Sequence, residues 1–187
     1  MVQFPAGFRC NYGFAVPVVL VLLLVMPVAA MAADWFDEQA AASAAGAPEI
    51  RVSLGQQRAY FYKGDTPVGE SRISSGKPGF RTPAGHYRVL AKKVHHRSGQ
   101  FGSYVDRNSH RVVRADVDRR RDRRPPGTYY RGAKMDYFIR FNDGIGFHAS
   151  SDVPDYPASH GCVRMPRNMA QKFFQYAPVG TPVVVTN

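Results

Sequence analysis

The sequence predicts a mainly β fold, a sandwich or barrel of short strands with one helix near its end. Three observations lead there. Apolar and polar residues alternate over short runs, Gly, Pro, Asn and Asp punctuate those runs, and only one stretch near the C-terminus carries apolar residues at helical spacing. The chain has 187 residues, 44% hydrophobic and 21% charged, which suffices for one domain with a real core. Neither a disulfide framework nor a structural metal is needed to fold a chain of this size.

The first element is an address. Residues 15–30, AVPVVLVLLLVMPVAA, follow Arg9 and lead into Ala30-Met31-Ala32, the charged, apolar and small-residue order of a secretory signal. A membrane helix needs roughly twenty apolar residues, and this run is shorter and carries Pro17 and Pro27. Residues 1–32 are therefore expected to be a cleaved signal peptide, with an uncleaved membrane anchor as the alternative. Either way the remainder is exported. Cys10 lies before the apolar core, not at its end where a lipidated signal carries its cysteine. Cleavage after Ala32 removes Cys10 and one base, leaving 155 residues with 24 bases against 14 acids, a net of +10. Cys162 is then the only thiol in an exported chain, which makes it intermolecular or reactive.

Residues 33–48 are Ala-rich, with Ser43, Gly46 and Pro48, and are expected to be a tether, so the domain spans 49–187. Ile50 to Leu54 alternates, Gly55-Gln56 punctuates, and Arg58 to Lys63 alternates again with Ala59 and Phe61 on one side, which is a hairpin signature. A turn at 63–67 leads to a strand over Val68 to Ser75, and the Gly- and Pro-rich stretch 76–85 to another over His86 to Val94. Between 95 and 134 the segment is dense in Arg, Gly, Asp and Pro and holds neither period, so it is expected to be an elaborated loop, a basic insertion or lid. Asp136 to Phe141 resumes alternation, Asn142-Asp143-Gly144 makes a turn, and Ile145 and Phe147 share one face, putting His148 on the other. Met169, Ala170, Phe173, Phe174 and Ala177 then recur at helical spacing, with Pro166 or Asn168 to start the helix and Pro178 and Gly180 to stop it. Thr181 to Thr186 is the final strand.

The chemistry concentrates in His148 and Ser159-His160-Gly161-Cys162-Val163-Arg164. A thiol attacks as thiolate, and a neighbouring imidazole or cation lowers its pKa from about 8.5, so a Cys/His pair suits acyl transfer. A tight turn at Gly161 would aim the Gly161 and Cys162 amides at a developing oxyanion. His148, His160 and Cys162 also make up a three-ligand zinc option, but no C-x-x-C or H-E-x-x-H spacing accompanies them.

His148, with Cys162 fourteen residues later inside the stretch Ser159 to Met165, resembles the signature of the L,D-transpeptidase (YkuD) family. The hairpin Ile50 to Tyr62, Ser74-Ser75-Gly76-Lys77, Thr82-Pro83-Ala84-Gly85-His86-Tyr87 and Gly180-Thr181-Pro182-Val183 resemble further stretches of that family. The resemblance runs from about 49 to 186 and leaves 95–134 unaligned. It implies a mixed β-sandwich with a short helix after the catalytic Cys loop. It also implies a cysteine enzyme of the bacterial wall that needs no cofactor or metal. On that reading Cys162 attacks a peptidoglycan stem tetrapeptide, expels D-alanine and forms a thioester. An amine from a second stem or a wall-anchored protein then takes the acyl group. His148 is the proton donor and acceptor, and Ser159, His160, Gly161 and Arg164 support the loop or bind substrate. One departure is Ala149, where many members have Gly after the histidine. Alternatives are a carboxypeptidase or amidase on the same scaffold, trimming wall peptides, and a non-enzymatic wall-binding module.

The run Arg119-Arg120-Arg121-Asp122-Arg123-Arg124 would ordinarily suggest nucleic acid, which export to the periplasm or wall excludes as a partner. Residues 106–124 either contact anionic lipid or wall polymer or form a solvated loop. His86, His95, His96 and His110 are assigned no role.

Overall fold

Strand alternation in the sequence becomes two sheets whose buried faces feed a single core. The computed structural model describes Met1, Gln3 and residues 33–187, so the expected signal falls almost wholly outside the described residues. The first sheet contains β1 (Trp35–Phe36), β2 (Pro48–Ser53), β3 (Arg58–Lys63), β4 (Thr66–Arg72), β5 (Gly85–Arg88) and β13 (Pro182–Thr186), in the order β1-β4-β3-β2-β13-β5. The second contains β6 (Ala91–Lys93), β10 (Phe138–Asn142), β11 (Ile145–Ala149) and β12 (Val163–Met165), in the order β12-β11-β10-β6. Each sheet is mixed, because β13 runs parallel to β2 and β12 parallel to β11. A parallel neighbour cannot be joined by a hairpin, and the chain between β11 and β12 is the loop that carries the thiol.

Ile50, Val52, Phe61 and Val183 from the first sheet share a cluster with Ile139, Phe141, Phe147 and Met165 from the second. Phe61, Phe147 and Phe173 are fully buried, each contributing about 1.5–3 kcal/mol by removal from water. Helix α2 (Arg167–Tyr176) begins after Pro166, whose fixed φ suits a helix start, and buries Met169, Ala170 and Phe173. Phe173 meets Phe61 edge-on at 5.2 Å, tying helix to first sheet.

Three expectations are corrected. Residues 33–48 are not a tether. β1 pairs with β4, Asp37 caps helix α1 (Glu38–Ser43) by accepting the Ala40 N–H at 2.8 Å, and Phe36 packs on Phe61, Phe173 and Tyr176. Asp34 beside Arg58 and Arg72, and Glu38 with Lys172 and Tyr176, hold this segment further, and Gly69 opposite makes the room: a Cβ there would lie 2.4 Å from the Phe36 ring. The strand expected over His86 to Val94 is two strands in different sheets. The chain crosses between them at Val89 and Leu90, whose N–H groups go to Thr181 and Arg140 carbonyls.

The segment 95–134 is not an irregular loop. It is a three-stranded antiparallel sheet, β8 (Val112–Asp118), β7 (Arg97–Asp106) and β9 (Thr128–Lys134), with β7 in the middle. Register shifts near Gly102 and Tyr104 break the period-two pattern that would have revealed it. Its buried apolar residues, Tyr104, Val105 and Val117, lie outside the main cluster.

Candidate active site

The nucleophile loop is built by residues far away in sequence. Ser74 exchanges both backbone hydrogen bonds with Arg164 at 3.0 Å, and the Ser159 N–H donates to the Ser75 carbonyl at 2.9 Å. The Ser75 N–H and hydroxyl are engaged by the side chain of buried Gln57 at 2.8 and 2.9 Å. Thr82 Oγ1 accepts from the Gly76 N–H at 2.9 Å and donates to the Gly161 carbonyl at 2.7 Å. The Ser74-to-Lys77 and Thr82-Pro83 stretches are thus the clamp on the loop of Cys162. Gly76 is required because a Cβ there would sit 1.9 Å from the Phe80 carbonyl oxygen. Gly161 is required by its φ of +111°, in the region that L side chains rarely adopt.

His148 lies in β11 directly beside Arg164 in β12, as register partners, so both side chains leave the same face of the second sheet. They line a cleft of about 590 Å³ together with Cys162, His160, Ser150 and Asp152. His148 is only 8% exposed. Its Nδ1 lies 3.0 Å from the Ala149 carbonyl, which can only accept, so the proton sits on Nδ1 and Nε2 is left with its lone pair. Burial pulls the imidazole down to about 4, and the charge of Arg164 adds to that. The ring is therefore a neutral base at physiological pH.

Cys162 is half-buried and unpaired by any disulfide, and its thiol points at the Gly144 carbonyl at 3.6 Å. Burial pushes it up, against opposing pulls from the Gly146 amide and Arg164. This corrects the expected lowering of its pKa: desolvation outweighs the nearby cation, and at rest the pair is thiol and imidazole, not thiolate and imidazolium. A second correction concerns the amides. The Gly161 N–H donates to the Ser159 hydroxyl at 3.1 Å, and that hydroxyl in turn donates to the Cys162 carbonyl at 2.5 Å. Ser159 and Gly161 thus shape the loop, and the Cys162 N–H is the amide of the pair with no hydrogen bond among the described residues.

His160 stacks on Phe101 of β7 at 4.4 Å and 19°, and Phe80 meets it edge-on at 4.8 Å. Burial lowers its pKa, as do the charges of Lys77 and Arg164. Arg164 pairs with Asp152 at 2.7 Å and so staples the 150–164 loop while facing the cleft. Among the described residues no group of three His, Cys, Asp or Glu converges as metal ligands.

The far wall of the cleft is the insertion. Phe101, Gln100, Arg120 and Lys134 line it, and none was singled out from sequence as a site residue. Nor was Asp136, whose carboxylate meets Arg167 at 2.8 Å, Lys134 at 3.0 Å and His95 at 3.5 Å. The hydrogen bond from Arg167 foremost, with those from Lys134 and His95, holds it well below the usual carboxylate range. Met135 and His96 join the two ends of the insertion by a hydrogen bond of 2.9 Å. His96, given no role from sequence, also lines the cleft and stacks on Phe138 at 4.4 Å.

A mixed β-sandwich with a thiol and a neutral imidazole facing one cleft belongs to the architectures on which cysteine acyl-transfer chemistry is built. The sequence matches the L,D-transpeptidase catalytic domain, YkuD, over residues 47–185, and the chain belongs to that family. An L,D-transpeptidase from Mycobacterium smegmatis superposes with a TM-score of 0.56 at 18% identity, covering 75% of this chain and 58% of that one. For the enzyme of Stackebrandtia nassauensis the figures are 0.55, 18%, 80% and 63%, and for L,D-transpeptidase 3 of Mycobacterium tuberculosis 0.54, 20%, 75% and 61%. The chain spans about three-fifths of the length of these solved structures, whose likeness establishes the fold. No curated protein matches the sequence significantly.

Proposed function

We propose that this chain is an exported L,D-transpeptidase that acts on peptidoglycan stem peptides through a Cys162 thioester. The observation that carries the reading is that Cys162, in a loop clamped by two distant stretches, lines the same cleft as a His148 whose Nδ1–H is fixed on Ala149 and whose Nε2 keeps its lone pair. In the first half-reaction His148 takes the thiol proton as sulfur attacks the carbonyl of the third stem residue. The imidazolium so formed is a strong acid in its buried setting and passes the proton to the departing D-alanine amine. The Cys162 N–H supports the oxyanion. In the second half-reaction the amine of another stem, or of a wall-linked protein, attacks the thioester; His148 takes the proton that the amine sheds and passes it to the departing sulfur, so an amide replaces the thioester and the thiol is restored. The energy of one amide passes through the thioester into the next, so the exchange needs no outside energy source.

The test is mass spectrometry of the purified protein with disaccharide-tetrapeptide, beside Cys162→Ala and His148→Ala. The expected product is a dimer lacking one D-alanine, absent from both variants. Tripeptide without dimer would mean that water replaces the acceptor, making the protein a hydrolase. An untouched substrate together with a Cys162 that resists alkylation would overturn the enzyme reading.

A further inference from the structure

The cleft has one cation that the acyl-transfer chemistry leaves unused. We infer that Arg120 is a specificity-determining residue that binds a carboxylate of the peptide substrate from the insertion side of the cleft. The inference rests on the reading of function proposed above.

Arg120 stands on a turn that is built in advance. The Arg121 and Asp122 N–H groups close onto the Asp118 carbonyl at 2.9 and 2.8 Å, and the Arg120 N–H donates to Asp118 Oδ1 at 3.0 Å. Asp122 Oδ2 accepts the Asp118 N–H at 2.8 Å, and the Tyr104 hydroxyl donates to the Asp122 carbonyl at 2.7 Å. Gln100, on the central strand, donates its amide to Asp118 at 3.1 Å and accepts the Arg119 N–H at 3.0 Å. The neighbouring arginines have occupations within this sheet. Arg119 lies over the Tyr130 ring at 4.7 Å, Arg114 pairs with Asp122, and Arg121 approaches Asp118 at 3.9 Å. Arg120 alone of the 119–124 run lines the cleft.

The charges of the cleft single it out again. Its cations are Arg120, Lys134 and Arg164, and its carboxylates Asp143 and Asp152. Lys134 is bound to Asp136 at 3.0 Å and Arg164 to Asp152 at 2.7 Å. Arg120 has no ion pair among the described residues, and the Asp118 that feels its charge is already held by Gln100 and the turn amides. A planar guanidinium on a pre-formed turn, facing a peptide-sized cleft, suits two-point binding of a carboxylate. That carboxylate can come from the diamino-acid side chain of the donor stem or from the carbon next to the acceptor amine.

The experiment compares Arg120→Ala, Arg120→Lys and Arg120→Glu with the unmodified protein. One arm offers donor tetrapeptides with the diamino-acid carboxylate free or amidated, against a fixed acceptor. The other offers an α-amino acid or its amide as acceptor, with the donor fixed. In the arm that supplies the carboxylate, Arg120→Ala should lower kcat/KM for the free acid by roughly ten- to a hundredfold. The amidated partner should stay near its original rate, Arg120→Lys should restore part of the loss, and Arg120→Glu should reverse the preference. Alkylation of Cys162 should be unchanged in every variant. Equal losses on free and amidated substrates in both arms, or no loss at all, would overturn the role of Arg120 while leaving the transpeptidase reading intact. A parent protein inactive on every stem would instead remove the reading of function, and the role with it.

Discussion

The two-sheet body and the 95–134 insertion are built by different physics. The body is held by one apolar cluster in which Phe61, Phe147 and Phe173 are fully buried. The insertion buries Tyr104, Val105 and Val117 apart from that cluster and is held by its strand ladders and by hydrogen bonds such as Tyr104 to Asp122. It also carries the charge: eleven Lys and Arg against four Asp, a net of +7, whereas the rest of residues 33–187 has thirteen against ten, a net of +3. The apolar body fixes where the thiol and imidazole stand and brings Arg164, Asp143 and Asp152 to the cleft, while the insertion adds Arg120 and Lys134.

The largest effect should come from the body. Phe173→Ala removes a fully buried ring against Phe61 and should cost about 3–5 kcal/mol by chemical denaturation. By contrast, replacing 107–127 with Asn-Gly, which closes β7 onto β9 at the Asp106–Thr128 pair, should leave the unfolding midpoint of the body nearly unchanged and impair substrate affinity. Collapse of the whole protein on that replacement would break the comparison. Next in size is a pH effect. Because burial takes His148 from 6.5 to about 4, the unfolded chain binds a proton first on acidification. Stability is therefore full above about pH 6.5 and falls toward pH 4, by up to about 3 kcal/mol, and His148→Gln should flatten that slope. Smaller still, Phe101→Ala removes the stack on His160 and should lower kcat/KM roughly tenfold, at a cost in stability of about 1 kcal/mol. The smallest is Tyr104→Phe, worth about 1 kcal/mol and confined to faster amide exchange within the insertion.

What could be read from the sequence divides along the same line. The β3 strand, helix α2 and the strand carrying His148 follow from periodicity and punctuation, and residues 58–63 match the expected strand end to end. His148, His160, Cys162 and Arg164 line one cleft, a grouping that the sequence offered through the family resemblance and not through strand or helix periodicity. The insertion was opaque because bulges near Gly102 and Tyr104 shift side chains off the alternation. Residues 33–48 were misjudged because composition does not register a single anchor like Phe36. Phe101 enters the site from a strand with no motif of its own, the basic run 119–124 does not disclose that Arg120 alone of it faces the cleft, and the raised Cys162 pKa depends on burial that no spacing reveals.

The insertion leaves and rejoins the body at one place. The Met135 N–H meets the His96 carbonyl and the Tyr137 N–H meets that of Val94, so its two ends run side by side. An excursion whose ends adjoin can be exchanged while the path of the body stays uninterrupted, provided the Phe101 contact with His160 is kept. Grafting 97–134 between members of the family should move substrate preference with the graft and leave the reaction with the recipient, giving evolution a way to retune recognition without disturbing the chemistry.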